Sequence, residues 1–202
     1  MKLKTLLMVI CCVVVSGLVV GGFITLDRHN HGNVRTIQAL VNKDRDIIDV
    51  ADALRITFDV SPPEAEAYAH IFLKWQSKGF VKWETLAGLT YVESRYNPTL
   101  TSPKGARGLL QLMPQMIDIY AVKRGIKPCP TIAWRDVLLL DMGCEMLYDL
   151  TKKWGYPKSL GIYNVGTDTF KISQAEFIMA VQKQEEKVSL VYEGLKTKRI
   201  GE

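Results

Sequence analysis

Apolar residues recur at helical spacing through most of this chain, and no strand-like alternation of useful length interrupts them. Ile37, Leu40, Val41, Ile47, Ile48, Ala51, Leu54 and Phe58 mark a first helical run, with Asp44 breaking one position. That run is read either as a stalk or as a helix packed on a domain. Ser61-Pro62-Pro63-Glu64 reads as a helix start, with Ser61 capping, Pro62 in the first turn and Glu64 at the capping-box position. This helix is predicted to reach about Ser77, with Gly79 ending it. The next, about Val81 to Arg95, is nearly apolar all round from Thr85 to Val92, so it belongs at the centre of a domain. Asn97-Pro98 is its stop signal.

After a loop from Thr99 to Arg107, a short helix is predicted near Pro114 to Arg124, then a Pro-rich turn from Lys127 to Thr131. A long helix, about Trp134 to Trp154, carries the stripe Leu140, Gly143, Leu147, Leu150 and Trp154. Gly155-Tyr156-Pro157 closes it. A short helix near Leu160 to Asn164 gives way at Gly166, and a last one runs from about Ser173 to Leu195 with Phe177, Val181, Val188 and Val191 inward. The fold class is therefore all-α, or α with at most a minor β element.

The N-terminus follows a different pattern. Thr5 to Leu26 carries no charge, with Lys2 and Lys4 before it and Asp27 and Arg28 after it. As a helix this run is roughly 33 Å long, enough for a hydrocarbon core of about 30 Å. A cleaved signal peptide is the alternative, but the run exceeds the usual apolar length and no Ala-x-Ala site follows. The flanking lysines favour an inside N-terminus, with the rest of the chain outside the cytoplasm. This divides the chain into an anchor (1–26), a linker and stalk helix (27–60) and a folded domain (61–202).

Composition narrows the chemistry. The 202 residues suffice for one domain with a sizeable core. Of the net charge of +5, Lys2 and Lys4 supply two, and no Lys/Arg cluster with interleaved aromatics marks a nucleic-acid surface. The Lys196–Arg199 end reads as a solvated tail. Three His without zinc-type spacing leave no metal centre. No Gly-rich phosphate loop or Gly-x-Ser-x-Gly turn is present, so no cofactor is expected. Cys129 and Cys144 either pair across a loop of about 15 residues or stay separate thiols.

Glu93 stands out because it places a carboxylate where the nearly all-apolar helix ends. Partial burial and the carbonyl end of its own helix both disfavour its charged form. A carboxyl shifted in this way is suited to donating a proton near neutral pH. Asp118, Asp136, Asp141 and Glu145 read as helix-surface charges.

Glu93-Ser94-Arg95-Tyr96-Asn97-Pro98 is followed by Ser102-Pro103-Lys104-Gly105-Ala106-Arg107-Gly108-Leu109-Leu110-Gln111-Leu112-Met113-Pro114, then Gly143 to Leu147 in a helix, then Tyr163-Asn164-Val165-Gly166. This series, in this order and spacing, resembles the soluble lytic transglycosylase family, the goose-lysozyme-like branch of the lysozyme superfamily. The resemblance covers about Lys78 to Gly166. It implies a lysozyme-like helical domain that cuts the bond between N-acetylmuramic acid and N-acetylglucosamine in peptidoglycan, leaving a 1,6-anhydro end. Glu93 would be the catalytic acid and then the base. Ser102, Gln111 and Met113 would contact the glycan, Tyr163 would orient Glu93, Asn164 would support that loop, and Gly105 and Gly108 would let the backbone approach the sugar.

A two-carboxylate glycosidase needs a second acid flanking the bond, and neither the Ser94 to Gln115 loop nor the Tyr163 region contains Asp or Glu, apart from Asp168 beyond the motif. A lysozyme using water, and a non-catalytic peptidoglycan-binding membrane protein, remain the alternatives. The expected partners are glycan strands, the membrane through residues 5–26, and an envelope-spanning or virion assembly. The expected location is a bacterial envelope, with the domain in the periplasm, or a phage particle. The family's second cleft tyrosine, in a Tyr-Val pair, is replaced by Phe177-Ile178, and residues 27–60 match no element of the family.

Overall fold

The computed structural model describes residues 39, 41–127, 136–166 and 172–200. The chain forms two compact units, Met1–Arg45 and Asp46–Glu202. In the first, residues 41–45 are helical and exposed. The candidate anchor lies outside the described residues, and among those described no helix is long and apolar enough to cross a membrane.

The second unit is all-α: α1 (residues 46–58), α2 (Pro62–Gln76), α3 (Trp83–Ser94), α4 (Pro114–Lys123), α5 (Asp136–Trp154), α6 (Lys158–Val165) and α7 (Ile172–Ile200). Two isolated antiparallel bridges, Thr101–Arg107 and Arg107–Leu112, form the minor β element between α3 and α4. Ile47, Val50, Ala51, Ala53, Leu54 and Phe58 are all core residues. Residues 46–58 of the first helical run therefore pack within this unit, which starts at Asp46.

α3 is the centre. Trp83, Leu86, Ala87, Gly88, Leu89 and the polar Thr90 and Ser94 are buried, and α7 and α2 close over it. Each fully buried leucine contributes about 2 kcal/mol of hydrophobic free energy. The hydroxyls within this apolar helix are satisfied by its own backbone: Thr90 Oγ1 donates to Leu86 O (2.8 Å) and Ser94 Oγ to Thr90 O (3.1 Å). Gly88 marks the closest approach to α7, where a Cβ would lie 2.8 Å from Val181 O and 3.0 Å from Glu185 N. Tyr192 of α7 packs edge-on against Trp83 at 5.1 Å.

α3 ends at Ser94, three residues before the Asn-Pro signal. Arg95 (φ 52°) and Tyr96 (φ 61°) both turn into the left-handed region, at about 1–3 kcal/mol each for non-glycine residues. Their conformation is over-determined by Tyr96. Its ring stacks on Phe58 (5.2 Å) and Tyr68 (6.0 Å), and its hydroxyl donates to Ala87 O (3.1 Å).

Three local expectations need correction. Ser61 occupies the cap of α2 but makes no cap hydrogen bond; its hydroxyl donates to the Glu64 carboxylate instead (Oε2, 2.5 Å). Asp141 and Glu145 are not surface charges. Arg124 bridges both (2.8 and 2.6 Å), and Lys74 and Trp75 Nε1 also reach Asp141 (2.8 and 2.7 Å), pinning α2 and α4 to α5. Arg199 belongs to α7 and ion-pairs with buried Asp49 of α1 rather than lying in a loose tail. Cys144 is a buried free thiol; Cys129 lies outside the described residues.

Gly88→Ala should destabilise the domain by about 1–3 kcal/mol, since both atoms it meets are backbone and cannot rotate away. Urea unfolding measures this; a midpoint equal to wild type would mean that α7 does not rest directly on α3.

Candidate active site

Glu93 is the penultimate residue of α3 and half-buried. Burial pushes its carboxyl up to about 7, and no charged neighbour contributes to the shift. Among the described residues the carboxyl makes no hydrogen bond or ion pair.

The loop after α3 is built from backbone hydrogen bonds. Ser102 N donates to Ala106 O (2.9 Å), Gly105 N to Ser102 O (2.8 Å), and Gly108 N to Leu100 O (3.0 Å). Arg107 and Leu112 exchange two bonds of 2.9 and 3.0 Å. Ser102 Oγ accepts from Ala106 N (3.0 Å), so this hydroxyl shapes its own turn and keeps its proton for a further partner. Gln111 sits at φ 46° and spends its Nε2 protons on Leu100 O (3.0 Å) and Gly108 O (2.8 Å). Only its Oε1 remains for a ligand. Gly108 (φ 74°) has a structural reason beyond access: a Cβ there would meet Leu139 Cδ1 of α5 at 3.2 Å.

Tyr163 of α6 reaches this loop and lies within electrostatic range of Glu93. Its hydroxyl donates to Leu110 O at 2.7 Å. Burial raises its pKa, and the nearby charge of Glu93 raises it further. With its single proton committed to Leu110, the phenol oxygen can meet Glu93 only as an acceptor, from the protonated acid. Met113 is 41% exposed at the cap of α4, and Asn164 is exposed near the end of α6. Among the described residues, no hydrogen bond links Asn164 to the loop. Ser102, Gln111 and Tyr163 are thus brought together around the loop, with Glu93 in electrostatic reach of Tyr163.

Two participants were missed from sequence. One is the Leu110 carbonyl, which no side-chain pattern reveals. The other is Gly143, whose place in the middle of a buried helix was the available signal. A Cβ there would lie 2.7 Å from Leu110 Cδ1.

An all-helical domain with a lone desolvated acid at the end of its central helix is what these elements define. Residues 70–178, more than half the chain, match the family model described as the transglycosylase SLT domain, and the chain belongs to that family. Its curated relatives include the membrane-bound lytic murein transglycosylase F of Yersinia pestis (strain Pestoides F), 36% identical over 121 residues, or 60% of this chain and 24% of the relative. The protein of the same name from Histophilus somni (strain 2336) is 34% identical over the same shares. The chain spans about a quarter of the length of these relatives. The crystal structure of the 70 kDa soluble lytic transglycosylase from Escherichia coli is similar at 20% identity and a TM-score of 0.46, over 67% of this chain and 25% of that one.

A carboxyl raised from 4.5 to about 7 weakens the native state as pH rises through that window, because the unfolded chain ionises first. Glu93→Gln should therefore leave stability nearly unchanged below pH 4.5 and increase it above pH 7, by up to about 3 kcal/mol. Denaturation at pH 4 and pH 8 tests this; an equal effect at both would mean the carboxyl is not desolvated.

Proposed function

We propose that this protein is a peptidoglycan lytic transglycosylase in which Glu93 acts twice. The protonated carboxyl gives its proton to the oxygen linking N-acetylmuramic acid to N-acetylglucosamine, and the anomeric C–O bond breaks with its electron pair leaving on that oxygen. The carboxylate then takes the proton of the muramic O6 hydroxyl as O6 bonds to the anomeric carbon. This closes the 1,6-anhydro ring and restores the acid. Membership of the SLT family and the relatives named as lytic murein transglycosylases support the reaction class.

The observation that carries the mechanism is the isolation of Glu93: raised to about 7 by burial alone, with no neighbouring charge behind the shift. Such a group holds a substantial protonated fraction near neutrality and still ionises easily. Enzymes that use water place a second carboxylate about 5–9.5 Å away. Asp141 and Glu145, on the adjoining helix α5, are committed to Arg124 and Lys74. Ser102, Gln111, Met113, Tyr163 and Asn164 are the residues proposed to hold the glycan and orient the acid. Residues 5–26 are proposed to anchor the chain in a membrane with the domain on the outer side, next to the wall or within an envelope-spanning or virion assembly.

Glu93→Gln keeps the size of the side chain but can neither give nor take the proton. Release of muropeptides from purified peptidoglycan should fall by about 100–10,000-fold or more, with binding to sacculi retained. Mass spectrometry of the wild-type products should show anhydromuramic ends. Reducing ends would favour a lysozyme, and undiminished cleavage by Glu93→Gln would remove the assignment.

Tyr163→Phe deletes the hydroxyl that holds Leu110 O. Turnover should drop about 10–100-fold with folding retained, as for a displaced catalytic group. Unchanged turnover would make Tyr163 a packing residue.

A further inference from the structure

The loop that follows α3 rests on α5 at two points one helical turn apart. Leu139 lies under Gly108, where a Cβ would come within 3.2 Å of it. Leu110 lies directly on the backbone at Gly143, where a Cβ would meet Leu110 Cδ1 at 2.7 Å, Cβ at 2.8 Å and Cγ at 3.3 Å. Leu110 is 1% exposed, so its side chain has nowhere else to go. The carbonyl of that same residue is the acceptor of the Tyr163 hydroxyl at 2.7 Å. Tyr163 in turn is coupled electrostatically to Glu93 of α3, Cys144 of α5 and Tyr120 of α4.

From this chain of contacts we infer that Gly143 is a positioning residue for Glu93. Its missing side chain sets how deeply Leu110 seats against α5, and that depth fixes the carbonyl that holds the phenol of Tyr163 beside the acid. Any side chain at residue 143 lifts Leu110. Contacts below 3.0 Å to a Cβ force a shift, and the Leu110 Cβ is bonded to its own backbone, so the loop moves with it. The hydrogen bond from Tyr163 then lengthens, and water gains access to Glu93. Gly143 touches neither substrate nor the reacting atoms and acts only through Leu110 and Tyr163.

The test is Gly143→Ala in the full chain, with the Glu93 carboxyl followed by carbon-13 NMR across pH. Its titration midpoint should fall by at least about half a pH unit toward the ordinary carboxylate range, as burial is relieved. The inference draws on the transglycosylase reading only for a second readout: kcat should fall about 10–100-fold with KM nearly unchanged, and its alkaline limb should move to lower pH. The NMR midpoint stands apart from activity, so a chain that proves to be a lysozyme, or inactive, still tests Gly143. Leu147→Ala is the control. It opens a cavity on the same helix and lowers stability, and its Glu93 midpoint should equal that of wild type. If alanine at residue 143 prevents folding, Leu110→Ala/Gly143→Ala, which lacks the 2.7 Å contact, is compared with Leu110→Ala alone for the same downward shift. A wild-type midpoint in the folded Gly143 variant, or an equal shift in Leu147→Ala, overturns the inference.

Discussion

The structure depends on enclosing one helix. α3 is nearly apolar all round from Thr85 to Val92, so this stretch does not belong at a surface, and the neighbouring elements are arranged to cover it. Gly88 lets the backbone of α7 come into direct contact, Tyr192 holds α7 over Trp83, and Tyr96 folds back along the helix to place its hydroxyl on Ala87 O. The hydroxyls of Thr90 and Ser94 turn inward on their own helix and ask nothing of the partners. Enclosure stops where the chain leaves through two left-handed residues, and Glu93 sits at that limit. Its desolvation follows from its place on the helix.

The loop after α3 is ordered by side chains that hydrogen-bond to its own backbone. Gln111 commits both amide protons to carbonyls of its own loop, Ser102 accepts from Ala106 N, and Tyr163 gives its proton to Leu110. A donor aimed at Glu93 would stabilise the carboxylate and pull its pKa down. The loop is thus held rigid by bonds that leave the acid alone. Rigidity comes from the backbone and from the seat of Leu110 on α5, and the acid keeps the proton that its solitude allows it.

Much of this was legible in the amino-acid order. Stripes such as Leu140, Gly143 and Leu147 predict helices because periodicity is local information, and Glu93 stands out because it ends an apolar run. What escaped reading depends on distant partners. Asp141 and Glu145 resemble surface charges until α4 and α2 bring Arg124 and Lys74 against them. The left-handed turn at Arg95 and Tyr96 has no local signal: Phe58 and Tyr68, from α1 and α2, stack on the ring of Tyr96. Tyr163 finds its acceptor 53 residues away, on a main-chain carbonyl that carries no side-chain signature. At the start of α2 the departure is local: the Ser61 hydroxyl turns to the Glu64 carboxylate and not to a backbone N–H.

Asp141 and Glu93 make the electrostatic logic explicit. Both carboxyls are taken partly out of water, and burial pushes both upward. For Asp141, hydrogen bonds from Lys74 and Trp75 and the charge of Arg124 outweigh burial and hold it below the usual range. Glu93 has no such partner, and burial prevails. One small domain therefore keeps one acid ionised and another readily protonated, separated by depth of burial and by the choice of neighbours. The ionised one fastens α2 and α4 to α5, and α5 is the floor on which Leu110 rests. The cations that give Asp141 its structural role are thereby withheld from Glu93, and a residue proposed to give a proton and then take one back depends on their staying away.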